Sequence, residues 1–289
     1  MIRFTPRLWT TAGSAALIAG ALAACSPGGE AGEAGKTASG ATVAGETGGE
    51  SGGEGKAASL AAPVAAAAAG ESGGGEAGAA TAYAGLDANA ALGLRLEHLR
   101  GFILVAREAY GDGKAPEEAS ALIGQGYLEV YDPAAGSFAA IGNTEVKAAG
   151  DALVAALDKA TDKAAIGAAF ARAFTALDKA APKEASAKAI TEGLLTITTG
   201  LYTGVVSKEG DVDAIEFQHS YGAALAALDT LTKNKASLSA KDGARYDRAM
   251  GEMQKFVALW GGPTAPEKPP SLASVQAQAS RIELALSGL

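Results

Sequence analysis

The sequence has one cysteine, two histidines and only 6% aromatic residues in a chain of 289. One cysteine cannot close a disulfide within the chain, so any folded part must be held by packing. Hydrophobic residues still make up 48%, which leaves alanine to carry much of the apolar count. Alanine is the strongest helix former and a poor strand former. Strands are missing as a pattern too, since no useful length alternates apolar and polar residues with period two. There is no Gly-x-Ser-x-Gly, no P-loop and no dinucleotide fingerprint. Gly111-Asp112-Gly113 joins two helical stretches without the strand that a fingerprint needs. Positive charge is in deficit, with 24 Lys and Arg against 32 Asp and Glu and a net charge of −8. A phosphate backbone is therefore not attracted to the molecule as a whole, and nucleic acid is excluded as a partner. These absences predict an all-α protein that is not an enzyme.

What is present begins with the first twenty-five residues. Arg3 and Arg7 form a positive n-region, Ala12 to Ala21 an apolar core too short to span a bilayer, and the sole cysteine follows in Leu22-Ala23-Ala24-Cys25. This pattern resembles the lipobox of bacterial lipoproteins. The resemblance implies a signal peptide over 1–24, acylation of the Cys25 thiol and cleavage ahead of it. Cleavage leaves 265 of the 289 residues and, by removing Arg3 and Arg7, takes the charge from −8 to −10. Two acyl chains at about 0.8 kcal/mol per buried methylene suffice for stable anchoring. Ser26 stands where an Asp usually retains a Gram-negative lipoprotein in the inner membrane, so the resemblance implies the periplasmic face of the outer membrane.

Residues 25–82 read as the lipidated cysteine and a disordered tether of Gly, Glu, Ala and Ser, with runs such as Gly48-Gly49-Glu50-Ser51-Gly52-Gly53-Glu54. Such a tether has an end-to-end distance of roughly 40 Å. Residues 83–289 read as a bundle of about eight helices. The expected spans are Leu86–Tyr110, Pro116–Tyr131, Asn143–Ala160, a helix capped by Thr161 and ending before Pro182, Lys183–Val206, Asp213–Lys233, a helix from a cap at Ser239 to Trp260, and Leu272–Leu286. The span Leu194 to Val205 is almost wholly apolar and belongs at the bundle centre, though Thr196-Ile197-Thr198-Thr199 is also compatible with a strand. The set Tyr246, Met250, Met253, Phe256, Val257, Trp260 has helical spacing and reads as core.

Glu97-His98-Leu99-Arg100-Gly101 and Gln218-His219-Ser220-Tyr221-Gly222 repeat one pattern 121 residues apart and contain both histidines. The match predicts two related three-helix units, 86–160 and 211–289, joined by a helical hairpin. In each unit a glycine three residues past the histidine lies on the same helix side, where the missing Cβ admits a close neighbour at a cost of about 1 kcal/mol in propensity. A helical wheel puts His98 at the edge of the apolar stripe, at a seam. His219 falls on the Ala223 and Ala226 side, away from the large apolar residues.

Glu216 precedes His219 by three, a spacing that lets both reach one metal in helical bundles. Arg95 occupies the equivalent place in the first unit, which excludes a symmetric dinuclear site. What remains is one divalent ion, such as iron, held by His98, His219 and Glu216. The alternative is that both histidines serve as hydrogen-bonding core residues. A lipid-anchored helical protein with this duplication and these histidines is similar to the imelysin-like group, associated with iron uptake. That resemblance implies an envelope or metal-uptake partner. The group's His-x-x-Glu is absent here, since Gly101 and Gly222 stand at the glutamate positions. The competing expectation is a non-catalytic interaction lipoprotein without a metal site.

Overall fold

A computed structural model describes residues 80–142, 144–159 and 162–289. The signal peptide, Cys25 and the tether up to residue 79 lie outside the described residues, as do Asn143, Ala160 and Thr161. Ten α-helices make up the described fold: α1 (Ala88–Gly111), α2 (Pro116–Gly126), α3 (Ala135–Ala140), α4 (Glu145–Asp158), α5 (Lys163–Ala180), α6 (Ala187–Tyr202), α7 (Ala214–Lys233), α8 (Lys235–Lys241), α9 (Gly243–Val257) and α10 (Leu272–Leu286). Among the described residues the extended structure is one isolated antiparallel bridge, Val206 to Val212, in the loop between α6 and α7. The all-α expectation holds, and the strand alternative for Thr196 to Thr199 does not.

Local chemistry accounts for the helix ends. The Asp87 carboxylate accepts from the backbone N–H groups of Asn89 and Ala90, both at 2.9 Å, and starts α1. Gly113, at φ +83°, closes its far end. Pro116 at the first position and Glu117 and Glu118 in the first turn open α2. The Asp213 carboxylate caps α7 through Ile215 N–H at 2.8 Å and Glu216 N–H at 3.1 Å. The threonines of α6 donate back to carbonyls one turn earlier, Thr198 to Leu194 at 2.7 Å and Thr191 to Ala187 at 2.8 Å. That bond satisfies a buried hydroxyl inside a helix, which is why a β-branched run stays helical here.

Several boundaries differ from expectation for identifiable reasons. Asp162 caps α5, accepting from Ala165 N–H at 2.9 Å. The expected helix from Ser239 to Trp260 is two helices. Ser239 lies inside α8, and Asp242 breaks the run in extended conformation to cap α9 through Arg245 N–H at 3.0 Å. The second helix does not run as regular α to Tyr131. It passes at Tyr127–Tyr131 into a π-helical turn and then a 3₁₀ turn, followed by the short α3 that the periodicity did not suggest.

The packing is two rings of four helices that share a wall. In the first, α1 packs on α2, α2 on α4, α4 on α5 and α5 back on α1; in the second, α7 packs on α9, α9 on α10, α10 on α6 and α6 back on α7. α1 and α7 pack on each other and form the centre. The expected hairpin between two three-helix units is thus not a separate bridge. α5 and α6 each complete one ring as its fourth helix. The fourth helix follows the other three in the first ring and precedes them in the second, so no linear repeat pairs α5 with α6.

Candidate functional site

The centre of the molecule is the crossing of α1 and α7, and its closeness depends on two glycines. A Cβ on Gly101 would stand 2.6 Å from the Gly222 carbonyl oxygen, and one on Gly222 would stand 2.7 Å from the Gly101 carbonyl oxygen. Side chains on either side are exchanged in the same reciprocal way. Arg100 Nε reaches Asp229 at 3.6 Å, and Tyr221, at the position equivalent to Arg100, donates at 2.6 Å to Glu108, equivalent to Asp229. Residue i meeting j while j meets i is the contact pattern of a twofold axis. It supports the duplication read from Glu97 to Gly101 and Gln218 to Gly222.

Both histidines sit at this crossing and both are buried, His98 to 4% and His219 to 5% of full exposure. Each packs on Phe102, with ring centroids 5.4 Å from His98 and 4.7 Å from His219. The seam position expected for His98 is observed. The alanine side of α7 is where His219 lies, as expected, but that side is buried too, with Ala223 at 1% and Ala226 at 0% exposure, and its large apolar neighbour, Phe102, comes from α1. A wheel of one helix cannot show an apolar partner supplied by another.

The imidazoles are engaged with other segments. His98 Nδ1 is 2.7 Å from the Tyr83 hydroxyl, and the Arg95 guanidinium lies 4.2 Å from the Tyr83 ring centre. His219 Nε2 is 3.1 Å from Gln125 Oε1, and its Nδ1 is 3.7 Å from Glu129 Oε2. Burial pulls the His98 pKa down from 6.5 to about 3, with the neighbouring His219 and Arg95 acting in the same direction. His219 falls to about 4, again chiefly through burial, with Asp213 opposing. Both are neutral at pH 7. A phenol donating to Nδ1 leaves the His98 proton on Nε2, and Nε2 is buried without a hydrogen-bond partner.

Glu216 does not join the histidines as their carboxylate. Its side chain lies against Gly204 in the α6–α7 connection, whereas the carboxylate beside His219 is Glu129, carried by the π-helical turn. Among the described residues no group of three or more His, Cys, Asp or Glu is placed to hold a metal ion. Ser220, the hydroxyl next in sequence to His219, is turned away. It donates to Phe217 O at 2.9 Å and accepts from Trp260 Nε1 at 3.2 Å. Tyr246, Met253, Phe256 and Trp260 are buried core residues, as their spacing suggested.

Sequence reasoning missed Tyr83, Phe102, Gln125 and Glu129. Phe102 follows His98 by four, a helical neighbour that the search for ligands passed over. Gln125 and Glu129 are also four apart, polar residues within an otherwise apolar run, which was a readable signal. Tyr83 carried none, since it enters from outside the helices.

A second polar inclusion lies beside the first. Arg100 Nε meets Glu97 at 2.9 Å, its Nη2 meets Asp178, and Lys233 Nζ meets Glu97 at 3.0 Å and Asp229 at 3.2 Å. These five charges tie α1, α5 and α7 together. No described helix is long and apolar enough to cross a membrane. Comparison with protein families, with curated proteins and with solved structures yields no match to this chain.

Proposed function

We propose that this is a lipid-anchored envelope protein, held through Cys25 to the periplasmic face of the outer membrane, whose helical domain acts by binding a protein partner and not by catalysis. The observation that carries this reading is the state of the two histidines. Each is neutral, buried and hydrogen-bonded to another segment, a use of histidine that fixes a fold and leaves no general base exposed to a substrate. Anchoring is tested by Cys25→Ser, which should move the chain from the membrane to the soluble fraction. Persistence in the membrane fraction would sink it. Binding is tested by proximity labelling in intact cells: the anchored chain should mark a defined set of envelope proteins that the Cys25→Ser chain does not, and identical labelling would reject the partner.

One observation favours a second reading, association with iron or another metal, as the likeness to the imelysin-like group implies. Neutral imidazole is the form that ligates metal, and His98 Nε2, buried with no hydrogen-bond partner, offers a lone pair once the ring proton moves to Nδ1 and the Tyr83 oxygen accepts from it. Calorimetric titration of the metal-stripped soluble chain with Zn(II) and Fe(II) decides between the two. A binding isotherm lost in His98→Ala and in His219→Ala supports the metal; silence with both ions leaves the partner-binding reading.

A further inference from the structure

The segment that enters the bundle ahead of α1 is built differently from everything it touches. Residues 80–83 are helical, with Ala80 and Thr81 exposed and Ala82 and Tyr83 half-buried. Gly85 follows in the left-handed region at φ +77° with open space around it, and Asp87 then caps α1. A segment joined to a rigid helix through one glycine, whose added Cβ would meet no described atom within 4 Å, has the makings of a hinge. Ala82 and Tyr83 both pack against the core, and Tyr83 also reaches polar partners. The Tyr83 hydroxyl is 2.7 Å from His98 Nδ1, and the face of its ring is covered by Arg95.

Beneath Tyr83 lies the row of rings His98, Phe102 and His219. The two imidazoles are approached from different sides. His219 meets Gln125 and Glu129 on α2 and the turn after it, whereas His98 meets Tyr83. Burial also keeps the phenol protonated, because its pKa is pushed upward, so it remains a donor. The closed state is favoured by that hydrogen bond and by the contact with Arg95. The open state is favoured by the unsatisfied His98 Nε2, which gains a partner once solvent or a ligand reaches it.

We infer that residues 80–84 form a strap, hinged at Gly85, whose Tyr83 seals the His98 imidazole inside the bundle and uncovers it when the strap lifts. Access to the buried seam is then governed by the point at which the N-terminal chain enters the domain. The inference does not depend on what, if anything, the seam binds.

The test uses the mature chain carrying Cys25→Ser and diethylpyrocarbonate, which acylates neutral imidazole, with the modification of each histidine followed by mass spectrometry at pH 7. In the parent chain His98 should react slowly, at a rate unchanged by low urea concentrations, as local opening requires and global unfolding does not. Tyr83→Ala should accelerate His98 at least tenfold and leave His219 within twofold. Tyr83→Phe, which keeps the ring against Arg95 and loses only the hydroxyl, should accelerate His98 a few-fold and guards against a variant that merely loosens. A His98 rate within twofold of the parent in Tyr83→Ala overturns the strap. So does equal acceleration of both histidines, which would mean that the whole bundle has opened.

Discussion

Two polar clusters lie side by side at the α1 and α7 wall, and they answer the cost of burial in opposite ways. Glu97, Arg100, Asp178, Asp229 and Lys233 are joined in ion pairs. His98 and His219 give up their charge. The difference is in the partners and in the way out to water. Exposure in the ionic cluster rises in steps, from 3% for the Arg100 side chain and 8% for Glu97 to 33% for Asp229 and 54% for Asp178, so each inner charge has an opposite neighbour and the outermost is solvated. The histidines have Phe102 between them, and although Glu129 stands 3.7 Å from His219 Nδ1, burial dominates at both rings and neutrality is the lower free energy. Burial alone does not decide whether a group is charged.

The comparison breaks most sharply at Arg100. Arg100→Met strands Glu97 with Lys233 alone and should destabilise the domain by about 3 to 5 kcal/mol, whereas Arg100→Met with Glu97→Leu should recover a large part of it. Chemical denaturation of the two variants measures this, and a double variant no better than the single one would refute the account. The next effect is pH. Both histidines have folded pKa values below the ordinary 6.5, at about 3 and about 4, so the unfolded chain binds the protons. Stability is therefore complete above about pH 6.5 and is lost as pH falls toward the folded values. At about 1.4 kcal/mol per unit for each histidine, the loss between pH 6 and pH 5 should be on the order of 2 to 3 kcal/mol. That interval lies above the ordinary carboxylate range, and a variant carrying His98→Asn and His219→Asn should show a nearly flat profile across it.

Smaller effects sharpen the contrast. Gly101→Ala drives a methyl toward the Gly222 carbonyl, forcing the two helices apart between the clusters. A destabilisation of about 1 to 3 kcal/mol is expected, with Gly124→Ala, which has no neighbour within 4 Å, as the harmless control. Gln125→Leu removes the partner of His219 Nε2 at a cost of about 1 kcal/mol, and it should raise the reactivity of His219 and not that of His98.

The helices were legible because their apolar positions recur at threes and fours and because Pro116 and Asp213 mark two of their starts. Leu272 to Leu286 was read to the residue. Boundaries failed where a polar residue mid-run had two roles to choose from, as Ser239 and Asp242 did, and the π-helical turn at Tyr127 leaves no periodic trace. The likeness of α1 and α7 was visible in their shared pattern, but the comparable places of α5 and α6 in the two rings were not, since one follows and the other precedes its three partners in the chain. Of the site, the histidines and glycines could be named, but not their surroundings. Whether His219 faces apolar matter depends on Phe102, and whether Glu216 reaches it depends on Gly204, neither of which belongs to α7.

The contacts of the glycines imply two kinds of inheritance. Cβ atoms at Gly126 and Gly150 would run into the side chains of Phe102 and Tyr127. A lineage could enlarge either glycine if the facing ring shrank in step, so each of those pairs should drift together. At Gly101 and Gly222 the obstacle is a carbonyl group, present whatever residue carries it. No substitution at one position can make room for a side chain at the other. In a set of related sequences these two should therefore stand still independently, invariant without covariation, for as long as the two central helices cross at this distance.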